Sequence, residues 1–360
     1  MLFPEIYVNA RFLTQPITGV QRFAIEISKQ LKKIIPGINF IAPKAIIHQL
    51  IAEELEVITF GSYSGHVWEQ IELPLFLKKC GAVLLLNLAN TAPLFFDKNI
   101  ITIHDLAFKV NPQWFSKPFS IYYNWLIPKI SRKALHIFTV SEASKKEINK
   151  LIGIPAHHIT VAYNAVSNNL EIKANQSTNR LNIPEKYILS VASVDPRKNL
   201  LCLIDAYVKL ALPGFKLCLV GRKYKVFAES NLFALIKANS NIIFLEDTSD
   251  TELALLYQHA QVFVYPSFYE GFGIPNLEAM ALQCAVITSD IPVFREVCGE
   301  AALYFNPDDS SQLAEKIATL LSNPENKNRM KQKGKIQAEK FNWFNSAQKY
   351  EQIVLKLLIN

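Results

Sequence analysis

One rhythm constrains this chain more than any other feature. Short runs that are apolar throughout alternate with longer stretches of helical period. Ile6–Val8, Phe40–Ala42, Val57–Phe60, Val83–Leu86, Ile100–Ile103, Ile137–Val140 and Ile159–Ala162 read as strands. A strand apolar on both faces is covered on both, which is the habit of parallel sheets sandwiched between helix layers. Between them, Val20–Ile35 carries Phe23, Ile27 and Leu31 at helical spacing. It starts at Thr18-Gly19 and stops at Pro36-Gly37. Phe119–Ser131 and Glu142–Leu151 are predicted helices, the second N-capped by Ser141.

The rhythm breaks once, at the polar, Asn-rich string SNNLEIKANQSTNRLNIP of Ser167–Pro184. It then restarts. Tyr187–Val191, Phe215–Val220, Ile242–Leu245, Val262–Tyr265 and Val286–Thr288 read as strands. Leu200–Leu210, Thr251–His259 and Leu277–Leu282 read as helices, and Ser311–Asn360 is largely helical. A chain of 360 residues has room for two domains. The expected architecture is α/β, with two Rossmann-like doubly wound domains. The expected boundaries are 1–170, a linker at 171–185, a second domain at 186–340, and a final helix at 341–360. Ligands of open α/β sheets sit beyond the carboxyl ends of the strands, so a cleft between the domains is the expected site.

Composition narrows the function classes. Half of the residues are hydrophobic and 19% are charged, which excludes a disordered chain. The net charge is +7, and residues 1–170 hold 17 Lys and Arg against 11 Asp and Glu. Lys32-Lys33, Lys78-Lys79, Arg132-Lys133 and Lys145-Lys146 come as pairs, with no nucleic-acid motif beside them. An anionic membrane surface or a phosphorylated substrate is the better partner for such a half. The five cysteines, Cys80, Cys202, Cys218, Cys284 and Cys298, form no CxxC and suit a reducing compartment. The start MLFPEIYVNARF is not a secretory signal, and no apolar run reaches the ~18 residues of a spanning helix. A soluble, cytoplasmic chain, peripheral at the inner face of the membrane, is expected.

The stretch most specific for chemistry is YPSFYEGFGIPNLEAMA, Tyr265–Ala281. It follows a strand, contains Gly271 and Gly273, and enters a helix at Pro275. Glycines allow close backbone approach, and the exposed N–H groups of a helix start bind anions or hydroxyls. Glu270 sits in the loop and Glu278 on the helix. Two ionised carboxylates, each accepting two donors, suit a polyol. At the end of an earlier strand, SVASVDPRKNL places Arg197 and Lys198 where fixed cations can stabilise a departing phosphate. In IITIHDL, His104 and Asp105 follow a buried strand, and Asp105 either orients the histidine or caps the next segment. In PITGVQR, Gly19 heads the first long helix, with Gln21 and Arg22 beside it.

The Glu270–Glu278 spacing within GFGIPNLEAMA resembles the motif of the retaining glycosyltransferases of family four, whose fold is GT-B. SVASVDPRKNL is similar to the basic phosphate site of that family, although Ala192-Ser193 stand where many relatives have Gly-Arg. TVSEASKKEI, VAYNAV (with Ala165 where glycine is common) and TELALLYQHAQVFVYPS extend the resemblance over most of the chain. It is most specific in residues 186–290. The resemblance implies a nucleoside-diphosphate sugar donor and a glycan or lipid-linked acceptor, as in surface-polysaccharide assembly. Mannose, glucose and rhamnose donors all remain open. It implies that Glu270 attends the transferred sugar and Glu278 holds the ribose. It implies that Gly271, Phe272, Gly273, Ile274 and Pro275 line the donor and that Arg197 and Lys198 hold the diphosphate, with Gly221-Arg222 as a further cation source. It further implies that His104 contacts the donor sugar and that Gly19 approaches the donor phosphates. It also implies that the last helix crosses back to the first domain and that the domains close to exclude water. It implies that no side chain need be a covalent nucleophile, unlike in retaining hydrolases. No cofactor or metal is expected; Asp308-Asp309 reads as a helix start. A GT-B nucleotide-sugar epimerase, a phosphorylase and a non-enzymatic sugar-binding protein are the alternatives.

Overall fold

The computed structural model describes residues 5–167, 183–222 and 231–359. Most of the expected linker, residues 171–182, lies outside them. The chain divides into two compact units, residues 1–164 with 342–360, and residues 165–341.

The first unit is a seven-stranded parallel sheet. Its strands are β1 (Ile6–Asn9), β2 (Asn39–Ala42), β3 (Ile58–Thr59), β4 (Leu84–Asn87), β5 (Asn99–Thr102), β6 (His136–Thr139) and β7 (Ile159–Val161). Their order is β3-β2-β1-β4-β5-β6-β7. The chain therefore winds outward from β1 in one direction and from β4 in the other. The β1/β4 boundary is the switch point, where α/β sheets open a crevice. β1, β4, β5 and β6 are buried at every position, which is why their sequences are apolar rather than alternating. Helix Gly19–Ile34 buries Phe23, Ile27 and Leu31, as the periodicity predicts. Ser141 caps helix Glu142–Ile152 by accepting the Ser144 N–H at 3.0 Å.

An ion pair is buried beyond β1 and β4. Arg11 Nε lies 3.1 Å from Glu69 Oε1, and Arg11 Nη2 donates to Thr91 Oγ1 at 2.8 Å. Asn9, at the end of β1, donates to Glu69 at 2.9 Å and to Asn87, at the end of β4, at 3.1 Å. His66 Nδ1 stands 3.2 Å from the other carboxylate oxygen. Glu69 belongs to a π-helical turn, Trp68–Glu72, a rare geometry that points one carboxylate at several donors. Burial alone would raise its pKa; Arg11 and then His66 outweigh that and hold it at about 2.

The helix Trp343–Ile359 packs against Gly19–Ile34 and closes this unit. The Tyr350 ring stacks on Phe138 at 3.7 Å, and its hydroxyl meets Thr102 Oγ1 at 2.7 Å. Ser346 and Lys349 donate to the carbonyls of Tyr163 and Val161, both at 2.7 Å.

The second unit is a six-stranded parallel sheet of β8 (Tyr187–Val191), β9 (Lys216–Val220), β10 (Ile242–Leu245), β11 (Val262–Tyr265), β12 (Val286–Ser289) and β13 (Ala302–Phe305). The order β10-β9-β8-β11-β12-β13 puts its switch point between β8 and β11. β13 and the helices Gln49–Leu55, Asn231–Ala238 and Pro292–Cys298 add to the elements legible in the sequence. Helix Lys117–Lys133 runs through Pro128 and is longer at both ends than its apolar core suggests. Asp309 caps Ser310–Ser322, accepting from the N–H groups of Ser311 and Gln312 at 3.0 and 2.9 Å. Cys218 and Cys284 are buried, and burial pushes both thiols up to about 12, away from reactive thiolate.

Candidate active site

The two strands at the switch point of the second unit carry the charged residues. After β8 the chain makes a short 3-10 turn, Pro196–Lys198, capped by Asp195, whose Oδ1 accepts the Arg197 N–H at 2.9 Å. Asn199 follows in the left-handed region at φ 54°, a conformation asparagine tolerates. Its Nδ2 donates to the carbonyls of Pro266 at 3.1 Å and Pro307 at 2.7 Å. The Phe268 N–H donates to the Arg197 carbonyl at 2.9 Å. The loop after β8 is thereby fastened to the loop after β11.

That fastening brings Arg197, Lys198 and Glu270 together. Lys198 Nζ donates to Glu270 Oε1 and, at 2.9 Å, to the Tyr265 hydroxyl. Tyr265 in turn donates to the same Glu270 oxygen at 2.9 Å. Arg197 Nη1 lies 3.4 Å from Glu270 Oε2 and from the Tyr269 carbonyl. The side chains of Lys198 and Glu270 are 10% and 9% exposed, so water screens the pair little. Burial would raise the Glu270 carboxyl; Lys198 and then Arg197 override it and hold the pKa at about 2. Burial and then the Glu270 charge push the Tyr265 phenol far up, so it stays a donor.

Glu69 and Glu270 share a linkage. Each sits at about 2 when folded, against an ordinary glutamate value of 4.5. Their stabilisation is complete above 4.5 and is lost as pH falls through about 2. Each contributes on the order of 3 kcal/mol across that window. A urea midpoint that stays flat as the pH is lowered through the window would contradict this.

Glu278 rides on helix Ile274–Ala281, the helix that follows the glycines. Its Oε2 accepts from the buried Tyr257 hydroxyl at 3.0 Å, which fixes one carboxylate oxygen and leaves the carboxylate half-exposed. Tyr257→Phe removes this hydrogen bond and should lower stability by about 1 kcal/mol, read as a fall in the urea midpoint. An unchanged midpoint would mean that the bond contributes nothing to the fold.

Gly273 precedes the helix at φ +92°, and a Cβ there would lie 2.5 Å from Phe294 Cε1. Phe272 is buried and meets Phe341 edge-on. Gly271 is buried, whereas Ile274 and Pro275 are half-exposed at the helix start. At Gly221 a Cβ would stand 1.9 Å from the Ala192 carbonyl, so the chains leaving β8 and β9 touch backbone to backbone. The Arg222 side chain is exposed.

The first unit holds the remaining candidates. His104, just beyond β5, is buried, and its Nε2 lies 2.9 Å from the Leu88 carbonyl. That carbonyl can only accept, so Nε2 carries the proton and Nδ1 the lone pair. Burial lowers the pKa and keeps the ring neutral, although the Leu88 bond and Asp105 oppose it. Phe23 packs edge-on at 4.9 Å, and the His104 N–H donates to Asn90 Oδ1 at 2.8 Å. Asp105 takes the capping role, accepting the Ala107 N–H at 3.0 Å. Gly19 is the exposed first residue of its helix. Gln21 is used at the helix start, where its Oε1 accepts the Thr18 N–H at 3.2 Å and its Nε2 donates to Gln15 at 2.7 Å.

Sequence reasoning overlooked Tyr265, Tyr257 and Asn199. Their one signal is a polar group in an apolar strand or helix next to the motif.

Comparison with known proteins bears on what this site belongs to. A family model described as "Glycosyl transferases group 1" matches residues 171–337, and "Glycosyltransferase Family 4" matches residues 85–169. The chain is 32% identical over 256 residues to the O-antigen chain mannosyltransferase RfbU of Salmonella typhimurium, covering 71% of this chain and 69% of that one. It is 27% identical over 364 residues to O-antigen chain mannosyltransferase B of Escherichia coli, covering 92% and 94%. Its fold superposes on the Anabaena HepE protein, solved in complex with UDP and glucose. There the TM-score is 0.77 at 16% identity, covering 98% of this chain and all of that one (100%). Two switch-point sheets, a carboxylate motif after β11 and these matches have one reading: the chain belongs to the group 1 glycosyltransferases of family four, with the GT-B fold.

Proposed function

We propose that the protein transfers a hexose, mannose before glucose or rhamnose, from a nucleoside diphosphate to a hydroxyl of a growing surface glycan or its lipid-linked precursor, with retention at the anomeric carbon. The observation that carries this reading is the contact of Lys198 and Arg197 with Glu270 at the β8/β11 switch point. Similarity to two O-antigen mannosyltransferases favours mannose and polysaccharide synthesis.

In this reading Arg197 and Lys198 take the diphosphate. Glu270 already holds both cations, so little reorganisation is needed as negative charge grows on the leaving group. The carboxylate also meets hydroxyls of the transferred sugar. Glu278, steadied by Tyr257, accepts the two ribose hydroxyls. Gly271, Gly273, Ile274 and Pro275 offer backbone at the helix start, and Gly19 does so in the first unit. Neutral His104 accepts a sugar hydroxyl at Nδ1. The departing phosphate removes the acceptor proton, so no side chain is needed as a base.

The discriminating experiment is a thermal-shift screen with GDP, UDP and dTDP and their sugars, followed by NMR of the product anomer. A ligand at 100 times its Kd adds about 2.7 kcal/mol. Stabilisation by no nucleotide, or an inverted product, would remove the reading. Turnover should also survive a chelator, since no metal is assigned a role; loss of activity in EDTA that Mg2+ restores would refute that part.

A further inference from the structure

A second cluster of titratable groups lies beyond β1 and β4, at the switch point of the first unit. Its centre is Glu69, whose side chain is 1% exposed, beside Arg11 at 6%. Glu69 Oε1 accepts from Asn9, Arg11 and Thr91 at 2.9, 3.1 and 3.0 Å. Its Oε2 meets His66 Nδ1 at 3.2 Å. The two residues are three apart, so they neighbour each other on one helix face. An ionised carboxylate only accepts, so the neutral imidazole carries its proton on Nδ1 and its lone pair on Nε2. The His66 side chain is 36% exposed. With Nδ1 turned to the buried carboxylate, the edge that carries Nε2 is the one left toward solvent.

Two rings wall this imidazole. Tyr122 stands edge-on at 5.0 Å and Tyr123 at 6.0 Å, and both are half-buried. The buried pair explains itself: Arg11, Asn9 and Thr91 already satisfy Glu69 Oε1. It does not explain a half-exposed histidine fixed in one tautomer on the second oxygen. Arg11 also cancels the Glu69 charge, so the cluster offers a lone pair and aromatic rings rather than positive charge. That chemistry suits a neutral polyol. A hydroxyl donates to Nε2, and the C–H face of a pyranose lies on a tyrosine ring. A phosphate, whose oxygens accept, would be poorly served.

We propose that His66, aligned by Glu69, receives a hydroxyl of a saccharide acceptor at this crevice, and that Tyr122 lies against the sugar ring. The inference rests on the transferase reading and gives the acceptor a specificity-determining residue. Nε2 removes no proton in the reaction. It fixes the direction of one hydroxyl and so decides which sugar, in which orientation, is presented for transfer. Glu69 acts through His66 and is a positioning residue.

The test compares transfer with donor hydrolysis, in which water takes the place of the acceptor. The full chain receives the nucleotide sugar that raises its melting temperature most. The probes are the methyl α-glycosides of mannose, glucose, rhamnose and galactose, and an α-linked mannobiose. His66→Phe keeps a ring against Tyr122 and Tyr123 but has no lone pair. It should raise the KM of the best saccharide, and lower the ratio of transfer to hydrolysis, by about tenfold, the scale of one lost hydrogen bond. His66→Gln, whose amide oxygen can accept, should recover part of that loss. Tyr122→Leu removes the ring without touching the Glu69 bonds and should raise the same KM. Melting curves of all three variants separate a lost contact from a lost fold. An unchanged ratio in His66→Phe overturns the proposal, and so does a wild type that hydrolyses donor but uses no saccharide of the panel. Either result leaves the transferase reading standing. A chain that neither binds nor cleaves any nucleotide sugar fails at that reading and takes this inference with it.

Discussion

Lys198→Met is expected, on the proposed transfer, to lower kcat by about a hundred- to a thousandfold, the usual cost of removing one preorganised charge from a reacting centre. It should also destabilise the protein by about 3–5 kcal/mol, because it leaves Glu270 buried without its main counterion. The two effects separate in the double variant Lys198→Met, Glu270→Gln. A neutral amide can still accept from Tyr265, and Arg197, which loses Glu270 as a counterion, keeps Asp195 at 3.9 Å. Most of the lost stability should return while kcat stays as low as in the single variant. A double-mutant cycle on denaturant midpoints and steady-state rates reads both quantities. If Lys198→Met kept its activity within tenfold, or if the double variant regained turnover, the ion pair would be structural and the diphosphate would be held elsewhere.

Gly273→Ala should cost about 2–5 kcal/mol and abolish measurable donor binding. Two independent penalties act there. At φ +92° an L side chain is strained whatever the space around it, and the new Cβ would meet the Phe294 ring at 2.5 Å. Phe294 is fully buried and cannot swing into solvent. Adding Phe294→Leu should therefore relieve the collision and leave the backbone strain, recovering part of the loss. On the proposed function donor binding suffers as well, because Gly273 sets the start of the helix that carries Glu278. A Gly273→Ala protein with unaltered stability and nucleotide affinity would mean the loop can re-form around alanine.

The sheets were legible because strands buried on both faces leave runs of apolar residues. Tyr187–Val191, Ile242–Leu245 and Val262–Tyr265 match the structure at both ends. β13 carries a comparable apolar run, Ala301–Phe305, that the sequence reading passed over; it lies at the sheet edge with its middle residues half-buried. At the candidate site, Arg197, Lys198 and Glu270 could be picked out because charges directly beyond apolar strands stand out. Tyr265 could not, since an aromatic in a buried strand looks like core until its hydroxyl is located. Asp105 shows a different limit. A histidine's orienting partner and a helix cap are spelled with the same letter, and coordinates were needed to choose the cap. The Arg11–Glu69 pair spans 58 residues, and no local pattern could join it.

The first unit is interrupted in the chain by the second. Helix Trp343–Ile359 is made only after the whole second unit has been translated. At roughly 5–20 residues per second, that delay is on the order of 10 to 40 seconds. Throughout it, the nascent sheet presents the Phe138 ring and the Thr102 hydroxyl without Tyr350 to cover them. The first unit therefore cannot be complete until the second has been synthesised, and a chain cut before Trp343 should leave Phe138 uncovered.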